Sequence, residues 1–264
     1  MPRILHLSDL HFGRERPDLV AALLAQARHL APDLVAISGD LTQRARRREL
    51  AAARRFVDAL PPPVLVVPGN HDIPGVTPRR LLTPWRRWRR VFPDGFEPVL
   101  QGADFTVVGA NSVRVGGPYL DWSRGRLDEA QVERLARRLE ASAPADLRVL
   151  VLHHPLLLTD AGRHRGLVGG AALALRRLAR AGLDLALGGH VHLPYAGRVN
   201  GVVVAHAGTS VSDRLVGAAN GFNLLHADRA RIVVEHWRAA DDGRFVPDGR
   251  SSFPRRMRRE AGND

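Results

Sequence analysis

Cysteine and lysine are both absent from this 264-residue chain, aromatic residues make up only 5% of it, and long apolar runs are missing. The lack of cysteine excludes disulfide frameworks, thiolate metal sites and cysteine nucleophiles, so any metal ion must be held by imidazole, carboxylate, amide or water. No window approaches the ~20 consecutive apolar residues of a membrane span. The opening Met1-Pro2-Arg3 runs into an apolar stretch with no basic leader or cleavage site, so a cytoplasmic protein without a membrane partner is expected. The absence of lysine also recasts the charge. All 39 basic residues are arginine, and they exceed the 27 acidic ones by 12. Arginine at every basic position is a pattern of coding bias, and nucleic-acid binding stays as an alternative that charge alone does not carry. A chain of this length buries roughly 75% of its unfolded surface and needs no crosslink to hold a core.

What is present alternates between two periodicities. Strands are expected at Arg3 to Leu7, Leu34 to Ser38, Val64 to Val67, Phe105 to Ala110, Leu147 to Leu152 and Leu183 to Leu187. Between them, helical spacing marks Pro17 to Leu30, Arg46 to Leu60, Pro78 to Val91, Leu127 to Ala141 and Ala171 to Ala181. Past Leu187 helices stop. Arg198 to His206 contains the hairpin dipeptide Asn200-Gly201, and Phe222 to His226 with Arg231 to Trp237 read as antiparallel strands. One domain over residues 1–238 is expected, followed by a basic, loosely structured tail over 239–264.

Five short motifs follow the ends of five expected strands: Asp9-Leu10-His11, Gly39-Asp40, Gly69-Asn70-His71-Asp72, His153-His154-Pro155 and Gly188-Gly189-His190-Val191-His192. Open α/β sheets place their ligand crevices at the carboxyl ends of strands, so loops from distant parts of the chain can converge there. A catalytic dinuclear centre needs a carboxylate that bridges two ions about 3.5–4 Å apart, with separate ligands for each. These motifs contain such a set. Taken singly, an Asp or His at a strand end is more often a cap or a turn former.

In their order and wording, Ser-Asp-Leu-His, Ser-Gly-Asp-Leu-Thr, Pro-Gly-Asn-His-Asp, His-His-Pro and Gly-His-Val-His, running from Asp9 to His192, resemble the calcineurin-like metallophosphoesterase superfamily. Together with Ala207-Gly208-Thr209-Ser210 and Phe222-Asn223, they resemble its bacterial class III cyclic-nucleotide phosphodiesterases. The resemblance implies an α/β (α+β) fold, a four-layer αββα sandwich of two mixed sheets flanked by helices. It implies a first metal held by Asp9, His11 and His192, a second by Asn70, His153 and His190, and Asp40 bridging both. Manganese, iron, zinc and cobalt all suit such nitrogen and oxygen ligands. It further implies phosphodiester hydrolysis, with 3′,5′-cyclic nucleotides the most specific substrate, by a metal-bridging hydroxide. His71 would be the general acid, and Asp72 either holds or charge-stabilises its ring or merely starts the turn before Pro74. Nuclease-like or broad phosphatase activity, and a non-catalytic binding module, are the alternatives.

Several residues have two readings. Neighbours in an extended segment point to opposite sides, so His154 either backs a ligand or faces substrate, while His153 is the ligand expected by motif. Asn111 follows a strand and is expected to help shape the substrate pocket. His164 lies in the Gly162 to Gly170 loop, where it contacts phosphate or is merely solvated. Trp85 and Trp88 share one face of the expected 78–91 helix, as core residues or as a lid over substrate.

Overall fold

The computed structural model describes residues 1–117, 122–143 and 146–256. Its first half is built of strand and helix in turn: β1 (Arg3–Leu7), α1 (Pro17–Leu30), β2 (Leu34–Ile37), α2 (Arg47–Ala59) and β3 (Val64–Val66). Short helices α3 (Pro78–Leu82) and α4 (Trp88–Val91) follow, then β4 (Val99–Gln101), β5 (Phe105–Gly109), α5 (Glu129–Glu140), β6 (Leu147–Val151), α6 (Ala171–Arg180) and β7 (Leu185–Gly188). The remainder is all strand: β8 (Tyr195–Val199), β9 (Val202–His206), β10 (Gly221–Ala227), β11 (Arg231–Ala239) and β12 (Phe245–Pro254).

These strands form two six-stranded sheets, ordered β12-β11-β10-β1-β2-β3 and β4-β5-β6-β7-β9-β8. Each sheet is mixed. β1, β2 and β3 run parallel, as do β5, β6, β7 and β9, so both parallel cores end on one edge of their sheet. The two-residue side-chain period of a strand then builds the layers. Ile4 of β1 and Leu34 and Ala36 of β2 face the second sheet, meeting Val149, Leu187 and Val203. Their neighbours Leu5, Leu7, Val35 and Ile37 face outward onto Leu19 and Leu23 of α1 and Leu50, Ala53 and Phe56 of α2. The second sheet repeats the scheme, with Val108, Leu150 and Ala186 against Leu135 and Leu139 of α5 and Leu175 and Leu178 of α6. The result is the expected four-layer αββα sandwich.

Two expectations are corrected. The segment 78–91 is not one helix. Pro84 has no amide hydrogen and restricts Thr83, which takes an extended φ of −146°, so the chain breaks into α3 and α4. Trp88 of α4 is fully buried, and Trp85 packs at a tilt against Phe96 with centroids 4.6 Å apart, so both tryptophans are packing residues. The expected loose tail contains a regular strand. Phe245–Pro254 is the edge strand β12, paired along β11 with a bulge at His236 and Trp237. Its polar composition reflects an edge strand with one solvated side, and Phe245 anchors it 5.2 Å from Phe222 in the core. Residues 257–264 lie outside the described residues.

Candidate metal centre

The motif residues sit where the parallel strands stop. Asp9 and His11 follow β1, Asp40 follows β2, Asn70 and His71 follow β3, His153 follows β6, and His190 and His192 follow β7. To turn inward so soon, the chain uses left-handed backbone. Asp9, His11, Asp40, His190 and His192 have φ between 47° and 72°, five of the eight non-glycine residues with positive φ among those described. Such conformations cost about 1–3 kcal/mol each and cluster at functional sites. The motif glycines act by closeness: a Cβ on Gly69 would lie 2.2 Å from the amide nitrogen and Oδ1 of Asp40, and one on Gly39 (φ 91°) 2.8 Å from His153 Nδ1.

Two groups of donors result. In one, the ligand atoms of Asp9, His11, Asp40 and His192 lie within 4.8 Å of one another, all four residues buried. His192 Nε2 is 3.1 Å from Asp9 Oδ1 and 3.3 Å from His11 Nε2, which is in turn 3.7 Å from Asp40 Oδ2. In the other, Asn70 Oδ1 is 3.1 Å from His153 Nε2 and 3.0 Å from His190 Nδ1. Asp40 belongs to both, because its Oδ2 is also 3.4 Å from His153 Nε2. The structure therefore brings all seven expected metal residues together, with Asp40 between the two groups.

These residues fit cations. His153 Nδ1–H donates to Ser38 O at 2.8 Å and His192 Nδ1–H to Arg214 O at 2.7 Å, so the neutral form of each ring turns an Nε2 lone pair inward. Those lone pairs face carboxylate and amide oxygens, and buried Asp9 Oδ1 has no hydrogen-bond partner. Acceptors facing acceptors need a positive charge between them. The side-chain electrostatics give the same answer in protons. Burial lowers the His153 pKa, but the Asp40 charge and hydrogen bond outweigh it and raise it to about 9. Burial works to raise Asp9 and Asp40, yet the surrounding imidazoles hold both carboxyls well below the usual carboxylate range. His190, by contrast, is lowered to about 3 by burial and then by the His153 charge.

His71 stands at the edge of the centre, its ring at right angles to that of His11 with centroids 5.0 Å apart. Nδ1–H donates to Gln43 O at 2.8 Å, and Nε2 accepts from Arg214 Nη1 at 3.0 Å. Asp72 is not at this ring. Its carboxylate accepts from the amides of Leu41, Thr42 and Gly69 and from Thr42 Oγ1, at 2.9–3.1 Å, so it ties the β2 and β3 loops together. Burial and then the Asp40 charge raise its pKa to about 7, against the pull of those hydrogen bonds.

The three expected substrate residues are placed differently. His154 is fully buried and cannot face solvent-borne substrate. The chain bends after β6, so alternation fails and its ring lies 4.9 Å from His153 and 4.8 Å from His190, with Nδ1 on Ser112 Oγ at 2.8 Å. Asn111 uses its Oδ1 on the Val113 amide at 3.0 Å and lines a separate cleft with Arg126 and Arg134. His164 is exposed in the 3-10 turn Asp160–Arg165. Sequence reading missed Arg214, which reaches the site from the loop between β9 and β10, where no spacing pattern signals it. Beside His71 opens a cleft of about 790 Å³ lined by Gln43, Arg44, Ile73, Arg79 and Arg87.

A family model described as calcineurin-like phosphoesterase matches residues 2–194. The chain belongs to the calcineurin-like phosphoesterase family. Within it, the chain is 28% identical over 178 residues to the 3′,5′-cyclic adenosine monophosphate phosphodiesterase CpdA of Vibrio vulnificus, covering 60% of this chain and 58% of that one. It is also 28% identical over 171 residues to a probable cyclic nucleotide phosphodiesterase of Synechococcus, covering 59% and 58%. The chain thus spans under two thirds of the length of these relatives. A dimetal phosphatase from Danio rerio shares the fold with a TM-score of 0.68 at 14% identity, over 94% of this chain and 99% of that one. Among the described residues no helix is long and apolar enough to cross a membrane.

Proposed function

We propose that this calcineurin-like phosphoesterase hydrolyses phosphodiesters at a dinuclear centre held by Asp9, His11, Asp40 and His192 on one side and Asp40, Asn70, His153 and His190 on the other. The observation that carries the reading is Asp40, whose single Oδ2 lies 3.7 Å from His11 Nε2 and 3.4 Å from His153 Nε2. When bound, two cations lower the pKa of water and neutralise phosphate oxygens as charge builds in the transition state.

The protein's own groups do the rest. Asp40 is held in place by its Oδ1, which accepts the His71 amide at 2.8 Å. The same loop therefore sets both the bridging carboxylate and the candidate acid. His71 Nε2, which accepts Arg214 Nη1 at 3.0 Å, is the ring nitrogen that would give a proton to the departing alkoxide once that contact is released and the ring is protonated. Burial of Asp9, His11, His153 and His154 keeps bulk water from the far side of the centre, which strengthens each charge interaction there.

The finer reading is a small phosphodiester, with a 3′,5′-cyclic nucleotide as the specific candidate, supported by the names of the two bacterial relatives. Nuclease-like activity is the second reading, supported by the arginines lining the cleft beside His71. The test is a metal-reconstituted panel of bis-p-nitrophenyl phosphate, p-nitrophenyl phosphate, cyclic nucleotides and single-stranded DNA. Diester turnover above monoester turnover is expected, with a cyclic nucleotide the best natural substrate. Faster cleavage of DNA than of any cyclic nucleotide would favour the second reading, and no turnover with any metal would reject the hydrolase.

A further inference from the structure

Arg214 brings a guanidinium to the open edge of the centre, where among the described residues it rests on neutral groups. Its backbone is fixed to the centre, because the carbonyl oxygen accepts His192 Nδ1–H at 2.7 Å and Thr209 Oγ1–H at 3.2 Å. Its guanidinium reaches back over the site and makes two contacts, both through Nη1: Gln43 Oε1 at 3.4 Å and His71 Nε2 at 3.0 Å. Its acidic sequence neighbour Asp213 spends its hydrogen bonds on Arg14, at 2.8 and 3.0 Å, and acts on Arg214 only through its charge. A half-buried guanidinium thus rests on an amide oxygen and an imidazole nitrogen.

The contact to His71 is informative through its hydrogen-bond sense. A guanidinium only donates, so Nε2 must present a lone pair to it, and Nδ1 carries the hydrogen given to Gln43 O. With Nη1 in that place, Nε2 has no room for a proton directed at a leaving oxygen. A phosphodiester entering beside His11 and His71 brings anionic oxygens within reach of a cation whose backbone is already anchored, and a guanidinium fork matches phosphate geometry better than it matches imidazole.

We propose that Arg214 is a substrate-phosphate-binding residue, whose guanidinium exchanges His71 Nε2 for a non-bridging phosphate oxygen when substrate binds. This rests on the phosphodiesterase reading of the same site. The transfer makes one movement serve two ends: it holds the phosphate against the centre and uncovers His71 Nε2, which takes a proton from solvent and can then give it to the leaving oxygen.

The experiment uses the full chain reconstituted with manganese, comparing wild type with Arg214→Gln, Arg214→Lys, His71→Ala and the His71→Ala/Arg214→Gln double variant. Inorganic phosphate is the binding probe, followed by titration calorimetry, and bis-p-nitrophenyl phosphate is the substrate. Arg214→Gln is expected to weaken phosphate binding and raise KM about 10- to 100-fold, the worth of a charge-assisted hydrogen bond. Metal content should be unchanged, and Arg214→Lys should recover part of the loss. The same weakening must appear in the His71→Ala background. Phosphate affinity within twofold of the parent in either background overturns the proposal, because Arg214 would then act on His71 alone. Loss of metal in both Arg214 variants also overturns it, since the residue would then be a brace for His192. A wild type that binds phosphate but turns over no ester sinks the hydrolase reading instead, while the calorimetric comparison still decides the role of Arg214.

Discussion

Asp40, His71 and Asp72 lie within one pair of loops and do three different things. Asp40 touches both donor groups, so Asp40→Ala should bind fewer than two metal equivalents by elemental analysis and show no diester hydrolysis above background. His71 touches neither group through its Nε2, so His71→Ala should keep both metals while kcat falls about 10²- to 10⁴-fold, the usual worth of a general acid. A His71→Ala protein with wild-type kcat would remove that assignment. Asp72 spends its carboxylate on backbone amides and Thr42 Oγ1. Asp72→Asn turns an NH₂ toward donors and leaves buried amides unpaired, so a loss of about 1–3 kcal/mol in denaturant unfolding is expected. A neutral result there would mean that the loops hold without this tie.

The strand-end loops carry the site, and their glycines fix how closely the loops approach. Gly69 lies against Asp40 so tightly that any Cβ meets backbone at 2.2 Å. Gly69→Ala is expected to push Asp40 out of its shared position, lowering metal stoichiometry while far-UV circular dichroism keeps its native shape. Full metal loading of that variant would show that the loops can yield. The same scale explains what pattern reading missed. A helix over 78–91 satisfied the periodicity, but Pro84 breaks it, and one proline outweighs the apolar spacing around it. β4 has three residues and β12 is a polar edge strand, so neither presents the alternation by which a half-buried strand is recognised. The same limit applies to His153 and His154, because the strand that would alternate their side chains ends at Val151.

For the molecule as a whole, the buried centre ties stability to pH and to metal. In the metal-free chain His153 has a folded pKa of about 9, above its ordinary ~6.5. Folding therefore favours its protonated form, and that stability is present in full below pH ~6.5 and lost as pH rises through about 9. His6 and His190, lowered to about 3, and His206, lowered to about 4, work in the other direction. Their contribution is present above pH ~6.5 and lost as pH falls toward those values. The chelated protein should therefore melt highest near neutrality and lose melting temperature toward pH 9. The metal-loaded protein should be flatter over that alkaline range, because His153 no longer relies on a proton to face Asp40. Parallel profiles for the two forms in thermal melts would contradict this account of the centre.

The sequence by itself determined the alternation of strands and helices, and the family resemblance of its motifs picked out the seven residues that the fold gathers. A strand's two-residue period and a helix's 3.6-residue period are local properties, and Asp9, His11, Asp40, Asn70, His153, His190 and His192 each stand just beyond a strand that its own apolar residues declare. Only the tertiary structure decided what each of these residues faces. It turned Asp72 onto backbone amides, buried His154 behind Ser112, and brought Arg214 across from a late loop to His71. The physical reason is that side-chain direction after a strand end depends on the left-handed turns and on the hydrogen-bond partners that other loops supply. Those partners are up to 181 residues away in the chain, beyond the reach of any spacing rule.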